Sequence, residues 1–503
     1  MNYFPDLQTV MELAKRGDNN LVPVFRDIPA DLETPVSAYL KVARGEHSFL
    51  LESVEGGERL ARYSFIGTEP YRILKSGPYD DPAQGSDPLR EIEAELSRYR
   101  LSHPKASEPR SALPRFTGGA VGFLAYDAVR HFEPRVPINV PDPQGLPEAL
   151  FMFVDALLVF DHLQHTIKVV AHCRLDGDGQ ASYRHACWRI DELAKRLNQT
   201  LPASPYPLNR ASNEAARVES NVTKDRFIEN VERCRKYIVA GDIYQVQISQ
   251  RFQRRTAAHP FSVYRALRMV NPSPYMYYLS MGDSQIVGAS PEMLVRVEDG
   301  LIETHPIAGT RRRGRDEEDE ARMEAELTSD EKEKAEHIML VDLQRNDVGR
   351  IALPGTVKVT ELMAVEKYSH VMHLVSHVVG RLRPELTSYD ALRANFPAGT
   401  VTGAPKICAM EIIAELEEHR RGPYAGAVGY FDFSGNLDSA ITIRTIVMRD
   451  GMAYAQAAGG IVYDSVADLE YMDSRNKARA MLRAIERAEE MEEGLVTVGS
   501  LGY

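Results

Sequence analysis

Apolar residues recur at helical spacing in several long segments of the chain. From Lys224 to Gly241 they are spaced 4, 3 and 4 positions apart, which predicts a helix that ends at the glycine. Further helices are predicted at 183–197, 330–347, 406–417 and 468–491, and strands at 149–160, 166–171, 276–281, 293–297, 425–431 and 439–449. Because helices and strands cluster and do not strictly alternate, we favour an α+β fold with large antiparallel sheets over a doubly wound parallel fold.

A polar, proline-bearing segment at 201–213 follows the 183–197 helix and indicates a boundary. We therefore predict an N-terminal region at 1–200, a linker at 201–222 and a C-terminal region at 223–503. At about 100–200 residues per domain, a chain of 503 residues has room for three domains or for one large double-layered unit.

Charge and cysteine content exclude several classes of protein. The net charge is −12, from 60 basic and 72 acidic side chains, which argues against a protein that binds nucleic acid by neutralising phosphates. The four cysteines lie far apart and suggest neither a disulfide framework nor a zinc site. The N-terminus does not resemble a signal peptide, and no apolar run is long enough to span a membrane. We expect a cytoplasmic protein.

Two acidic pairs lie on separate predicted helices. Glu333 and Glu336 are three residues apart and share a helix face, and Glu470 and Asp473 repeat this spacing. A capping-box spacing at 328–331 predicts where the first of these helices begins. The four carboxylates could hold a hard cation such as Mg²⁺. Solvated helix faces are the more common explanation of such spacing, since lysines lie nearby.

The loop at 396–406 is rich in small residues and leads into an apolar helix, with Pro405 suited to the first helical position. The N–H groups at such a helix end attract an anion, although a tight structural turn explains the same residues equally well. The loop is not a Walker A motif, because only three residues separate Gly399 from Gly403. ATP binding is therefore not supported.

Two further side chains are candidates for chemistry. Arg444 ends an apolar run and could clamp a carboxylate, although arginines on strands are usually exposed or ion-paired. His370 and His373 could bind a metal or move protons, and a core histidine is the default interpretation. The basic run 311–313 is balanced by acidic residues at 316–320, so we interpret it as an ion-paired segment.

Together these segments resemble the chorismate-utilising enzymes and, within that family, the large subunit of anthranilate synthase. The likeness runs from about Lys224 to Met491 and follows the family order of motifs at 306–310, 336–347, 399–406, 422–426, 437–444 and 476–478. It implies a sandwich of large antiparallel β-sheets with helices outside. It also implies that chorismate and ammonia are converted to anthranilate and pyruvate, the first step of tryptophan biosynthesis.

Three features of the sequence indicate which subfamily the chain resembles. Water-adding relatives carry a lysine base where this chain has Gln245, which points to ammonia as the nucleophile. Aminodeoxychorismate synthases typically carry a lysine where this chain has Ala308. The segments 50–53 and 271–276 resemble the two halves of a tryptophan feedback site. Aminodeoxychorismate synthase and a catalytically inactive, tryptophan-sensing subunit are the alternatives.

The resemblance implies a role for each matching residue. Glu292 is the implied general acid and His373 the residue needed to eliminate pyruvate. Thr400 would contact the substrate from the loop, and Gln245 completes the implied catalytic set at the position of the lysine base of water-adding relatives. The implied substrate-binding residues are Gly309, Thr310, Tyr424, Arg444, Ala458, Gly459 and Gly460. The stretch 458–460 replaces the more common Gly-Ala-Gly of the family.

The resemblance also implies a cofactor, an effector and a partner. Glu336 and Asp473 would bind Mg²⁺ with support from Glu333 and Glu470, and Asp473 stands where the family usually has glutamate. The implied tryptophan-binding residues are Glu52, Ser53, Pro274, Tyr275, Met276, Val428 and Tyr430. A separate glutamine amidotransferase subunit would supply ammonia, because this chain has no cysteine in a Gly-x-Cys-x-Gly elbow.

Overall fold

The computed structural model describes residues 3–53, 62–77, 87–102, 113–201, 217–368 and 371–494. The strands in these ranges are β1 (Leu21–Pro29), β2 (His47–Glu52), β3 (Tyr63–Thr68), β4 (Arg72–Ser76), β5 (Gly119–Leu124), β6 (Ala149–Val154), β7 (Ala156–Asp161), β8 (Thr166–Arg174), β9 (Glu219–Ser220), β10 (Gln245–Arg255), β11 (Tyr275–Met281), β12 (Ser284–Ser290), β13 (Met293–Glu298), β14 (Leu301–Thr304), β15 (Ile307–Arg312), β16 (Lys358–Lys367), β17 (Val371–Arg381), β18 (Gly403–Ala404), β19 (Ala427–Asp432), β20 (Leu437–Ile441), β21 (Thr445–Arg449) and β22 (Met452–Ile461).

The α-helices of the same ranges are α1 (Leu7–Arg16), α2 (Pro35–Val42), α3 (Pro88–Leu96), α4 (Gly179–Leu197), α5 (Lys224–Ala240), α6 (Pro260–Val270), α7 (Glu317–Ser329), α8 (Glu331–Gly349), α9 (Ser388–Asn395), α10 (Lys406–Leu416) and α11 (Ala467–Glu492). In the described part of the chain, none of these helices is both long and apolar enough to cross a membrane.

The strands form two large antiparallel sheets. The first has the order β1-β8-β7-β3-β2-β11-β12-β21-β22-β10-β18, with β9 beside β10. The second has the order β15-β17-β14-β13-β20-β19-β5-β6-β4, with β16 beside β17. Aromatic and aliphatic side chains of both sheets, such as Phe49, Phe123 and Val428, pack into one cluster between them. Helices pack against the outer face of each sheet, and the predicted α+β sandwich is confirmed.

Both sheets combine strands from before and after the predicted linker. Strand β2 pairs with β11, and β5 pairs with β19. Residues 202–216 of the linker lie outside the described residues, and β9, within the predicted linker, pairs with β10. The boundary at 201–222 stays a prediction, but it does not separate one sheet from the other.

Several predicted elements differ from the observed ones in detail. The predicted 439–449 strand is two strands, β20 and β21, separated by residues 442–444. The predicted capping box at 328–331 is wrong, because α7 runs through Ser329 and Asp330 caps α8 instead. The Asp330 carboxylate accepts hydrogen bonds from the backbone N–H groups of Lys332 and Glu333 at 3.0 and 3.2 Å. Pro405 lies at the N-cap of α10, one residue before the predicted position.

Candidate active site

Glu292 lies in the short connection between β12 and β13, and only 6% of it is exposed. The Ser290 hydroxyl fixes this connection by donating to the Ile441 carbonyl at 2.7 Å. Burial raises the pKa of Glu292 to about 8, and the neighbouring Thr400 hydroxyl and Arg444 guanidinium oppose this rise only in part. Glu292 is therefore protonated at neutral pH and is able to donate a proton.

Arg444 lies at the break between β20 and β21, where its backbone has a φ of 51°. A non-glycine residue in this left-handed conformation is strained, and such strain is concentrated at functional sites. Its guanidinium donates to the Lys477 carbonyl at 3.4 Å, and among the described residues it has no carboxylate at ion-pair distance. Burial lowers the pKa of Arg444, while Tyr424, Asp473 and Glu292 lie close enough to raise it. The Arg444 guanidinium is therefore available to bind a carboxylate of a ligand.

The imidazole of His373, on β17, is oriented by a bulge in the neighbouring strand β15. Its Nδ1 lies 2.8 Å from the carbonyl oxygen of Gly309 and 3.2 Å from the Thr310 hydroxyl. Because a carbonyl only accepts, Nδ1 carries the proton and Nε2 is left as the acceptor. Burial lowers the pKa of His373, so the ring is neutral at pH 7. His370, the second histidine of the predicted pair, lies outside the described residues.

Gly309 adopts the conformation that this bulge requires. Its φ is 65°, and a methyl group at this position would lie 2.8 Å from the Leu327 side chain and 3.2 Å from Glu333. Residues 308 and 311 shift in register against β17, which turns the 309 carbonyl toward His373. The predicted substrate residues Gly309 and Thr310 therefore contact the predicted catalytic histidine directly.

Gln245 and Thr400 lie in adjoining segments, because β18 of the small-residue loop pairs with the first residues of β10. The Gln245 amide donates to a Glu336 carboxylate oxygen at 3.0 Å. Within the described part of the chain, the side-chain amide oxygen of Gln245 is buried without a hydrogen-bond partner. The Thr400 hydroxyl lies beside the Glu292 carboxyl. A buried polar atom is normally satisfied, so the Gln245 side-chain oxygen is available to a ligand.

The 458–460 stretch on β22 lets two other site elements approach closely. A methyl group on Gly459 would lie 3.3 Å from a Glu470 carboxylate oxygen, and one on Gly460 would lie 3.2 Å from the Gln245 amide nitrogen. The Ala458 carbonyl accepts a hydrogen bond from Lys477 at 3.1 Å. Small residues at these positions therefore leave room between β22, α11 and β10.

The four predicted metal ligands lie on α8 and α11, near the residues described above. Each has a partner within the chain: Glu333 pairs with Arg311, Glu336 with Gln245, Glu470 with Ser465 and Asp473 with Lys477. Burial raises the pKa of Glu470, and the charge of Asp473 adds to this rise. The pKa of Lys332 is raised by its ion pair with Asp464 and also by the nearby charges of Glu336 and Glu470. The two helices therefore present their carboxylates to the same region.

These carboxylates are not assembled into a closed metal cage. In the ranges that the structure describes, no three acidic, histidine or cysteine side chains converge closely enough to hold an ion. Mg²⁺ prefers hard oxygen ligands, and it commonly keeps several waters while using one or two protein carboxylates together with an anionic ligand. The donor set therefore fits Mg²⁺, and Mg²⁺ binding here stays a prediction.

The residues of the predicted tryptophan site line a single pocket. All seven contribute to its wall: Glu52, Ser53, Pro274, Tyr275, Met276, Val428 and Tyr430. The β2–β11 pairing places residue 52 opposite residue 276, and β19 belongs to the facing sheet. The pocket thus lies in the sandwich interior, between strands that are far apart in the sequence.

Other residues that were not predicted to bind tryptophan also line this pocket, among them Tyr63, Phe65, Arg115, Arg296 and Asp438. Arg296 binds the Asp438 carboxylate at 3.0 Å, and the Tyr275 hydroxyl donates to the same carboxylate at 3.1 Å. Burial raises the pKa of Glu52, which accepts a hydrogen bond from Tyr264 and pairs with Arg268. The sequence feature that could have indicated this part of the pocket is Arg296, an arginine within the apolar strand β13.

Comparison with known proteins identifies the family and the fold to which the chain belongs. A family model described as chorismate binding enzyme matches residues 46–483. A solved isochorismate synthase, MenF of Escherichia coli, superposes with a TM-score of 0.69 at 17% identity, covering 95% of this chain and 99% of that one, which shows the shared fold. The chain belongs to the chorismate binding enzymes.

Relatives with higher sequence identity indicate a particular group within this family. The chain is 49% identical to anthranilate synthase component 1 of Acetivibrio thermocellus, over 97% of this chain and 100% of that one. It is 46% identical to the Pseudomonas aeruginosa protein of the same name, over 96% and 99%. The crystal structure of anthranilate synthase component I from Streptococcus pneumoniae TIGR4 superposes with a TM-score of 0.73 at 38% identity, over 90% and 98%. Within its family, the chain therefore falls among the anthranilate synthase components 1, and the alternative functions are not favoured.

Proposed function

We propose that this chain converts chorismate and ammonia to anthranilate and pyruvate. The observation that carries the proposal is the partly buried Arg444 guanidinium, which has no carboxylate partner among the described residues and lies near the buried acid Glu292. Chorismate carries two carboxylates, and its ring hydroxyl leaves readily only when it is protonated. A cation beside a neutral carboxylic acid meets both requirements.

The first step is the replacement of the ring hydroxyl by ammonia. Glu292 donates its proton to the departing hydroxyl, which leaves as water as the two ring double bonds shift. Ammonia attacks the ring carbon next to the one that bears the carboxylate, and the attacking nitrogen then releases a proton. Gln245 occupies the place of the base that water-adding relatives use, and an amide cannot remove a proton from water at neutral pH. Ammonia already has a free electron pair and needs no such base.

The second step eliminates pyruvate and makes the ring aromatic. A proton must leave the ring as the enolpyruvyl C–O bond breaks, and Nε2 of the neutral His373 is the acceptor, since its Nδ1–H is committed to the Gly309 carbonyl. Tyr424, Arg444 and the 458–460 backbone hold one carboxylate and the ring during both steps.

Mg²⁺ is the proposed cofactor. When bound, it neutralises a substrate carboxylate and fixes its orientation. Glu336 and Asp473 would hold the ion, with Glu333 and Glu470 in support. Asp473 would then exchange its contact with Lys477, 2.7 Å away, for the metal.

Ammonia is proposed to come from glutamine through a glutamine amidotransferase subunit, and the relatives' designation as component 1 supports a second component. Tryptophan is the proposed inhibitor. Its indole would pack among Pro274, Tyr275 and Met276, while Glu52 and Ser53 would contact its amino-acid head group. Val428 and Tyr430 form the opposite wall. Inhibition requires that tryptophan binds two states of the protein with different affinity.

The proposal is tested by mixing purified protein with chorismate, Mg²⁺ and ammonium at alkaline pH and following anthranilate fluorescence. We expect fluorescent product that disappears when tryptophan is added. Chorismate consumption without fluorescence would contradict the proposed product. Tryptophan binding without any consumption of chorismate would favour the sensing subunit.

A further inference from the structure

A buried ion pair that no step above uses lies next to the candidate active site. Arg421, in the loop between α10 and β19, has only 2% of its surface exposed. Its Nε lies 2.9 Å from one Glu417 carboxylate oxygen, and a terminal nitrogen lies 2.7 Å from the other. This side-on geometry uses the planar fork of arginine, which a lysine cannot reproduce.

The other donors of Arg421 reach backbone carbonyls of two active-site segments. One terminal nitrogen donates to the Val401 carbonyl at 2.8 Å, and the other donates to the Gln247 carbonyl at 2.7 Å. Val401 directly follows Thr400 in the turn, and Gln247 lies two residues after Gln245 on β10. Both bonds therefore hold the backbone next to a predicted substrate contact.

Arg421 also contacts a third active-site element. Its guanidinium lies 5.7 Å from the centre of the Tyr424 ring and 4.8 Å from that of Tyr126. The next residue, Gly422, donates its N–H to the buried Asp127 carboxylate at 2.9 Å. The loop that carries Arg421 and Tyr424 is thus attached to the core on both of its sides.

The Glu417 end of the pair is anchored to the same strand. A Glu417 carboxylate oxygen accepts hydrogen bonds from both the backbone N–H and the hydroxyl of Ser249, at 2.8 and 2.9 Å. A buried ion pair is by itself weak evidence for stability, because desolvation of the charges offsets much of their attraction. Apart from Glu417, however, the groups to which Arg421 donates belong to backbone that carries predicted substrate contacts.

We propose that Arg421, held in place by Glu417, is a positioning residue that keeps Thr400, Gln245 and Tyr424 in their places around the substrate. The inference rests on the proposed function, since it concerns the same site. Arg421 itself does not contact the substrate. Loss of its fork would free the Val401 turn and the 247 backbone, so that both substrate affinity and turnover would suffer.

The test is the Arg421→Lys variant of the full chain, which keeps the charge but loses the planar set of donors. We expect the chorismate KM to rise and kcat to fall, with a combined loss in kcat/KM of about 100-fold, the size of effect that a misplacement of about 1 Å produces. The matched control is Arg254→Lys. Arg254 lies on β10, the strand that Arg421 contacts through the Gln247 carbonyl, and its side chain is similarly buried. It pairs with Glu489 at 2.8 Å near the end of α11.

The outcomes separate positioning from stability. We expect both variants to lower the unfolding temperature, while only Arg421→Lys raises the chorismate KM. If Arg421→Lys and Arg254→Lys have the same KM, the positioning role is wrong. If Arg421→Lys does not fold, Glu417→Gln replaces it, with an expected rise in KM in the same direction, and an unchanged KM there also refutes the role. A wild-type protein that leaves chorismate unchanged would instead refute the proposed function.

Discussion

The buried carboxyl of Glu292 makes the stability of the protein depend on pH in a predictable way. Raising the pKa of a carboxyl from 4.5 to about 8 makes its ionised form less favourable in the folded protein than in the unfolded chain. At 1.36 kcal/mol for each pH unit, the largest difference is about 5 kcal/mol. The contribution of the neutral Glu292 carboxyl to the free energy of unfolding is fully present below pH 4.5 and is lost as the pH rises to about 8.

Glu292→Gln removes this dependence, because glutamine is similar in shape and stays neutral. Relative to the wild type, we expect the variant to gain stability steadily with pH, by about 3 kcal/mol at pH 7 and about 5 kcal/mol at pH 9. Urea unfolding of both proteins at pH 5, 7 and 9 measures the gain. The same variant loses the general acid, so its turnover should fall by about 10²- to 10⁴-fold.

Asp432→Asn is a matched control for this measurement. Burial raises the pKa of Asp432, the last residue of β19, to about 6. The stability gain of this variant should therefore level off above pH 6, and its turnover should stay near the wild-type value. The reasoning about Glu292 is refuted if the difference between Glu292→Gln and the wild type is the same at pH 5 and pH 9.

Three further variants test the other assignments. His373→Met should accumulate the aminated intermediate with little anthranilate, as product analysis by chromatography would show, and normal anthranilate formation would contradict the role of His373 as the base. Ser53→Phe should fill the tryptophan pocket and abolish inhibition with little change in uninhibited turnover, and a variant that stays fully sensitive to tryptophan would exclude this assignment. Asp473→Glu restores the side chain usual in the family and should lower the Mg²⁺ concentration needed for half-maximal activity, whereas an unchanged requirement would argue against direct metal contact by Asp473.

Local patterns predicted most of the elements and missed details that depend on contacts. The α5 helix begins and ends where its apolar spacing and Gly241 predicted. The start of α8 was placed by a capping-box spacing, yet Asp330 is the residue whose side chain reaches the free N–H groups. The break at 442–444 was missed, because the positive φ of Arg444 depends on its surroundings and not on an intrinsic preference of arginine.

The candidate site shows the same division. The motifs at 333–336, 399–403 and 470–473 were visible in the sequence, but each had an ordinary structural explanation until the family resemblance favoured the functional one. For Gly309 and Thr310, the resemblance supplied the role. Arg421 and Glu417 carried no motif, since a buried arginine and an exposed one look the same in a sequence. Arg115, Arg296 and Asp438 were missed in the pocket proposed to bind tryptophan, because the burial of a charged side chain does not show in the sequence.

The sequence by itself determined the local elements, the acidic balance and the order of motifs that marks the family. Tertiary structure decided which of these motifs meet. Antiparallel pairing brings β2 beside β11, although more than 200 residues of chain separate them, and the loop containing β18 beside the start of β10. Burial then decides the chemistry: Glu292 remains protonated at neutral pH and His373 remains neutral because both are removed from water. Solvent exposure of a side chain depends on the packing of the whole chain and cannot be determined from neighbouring residues alone.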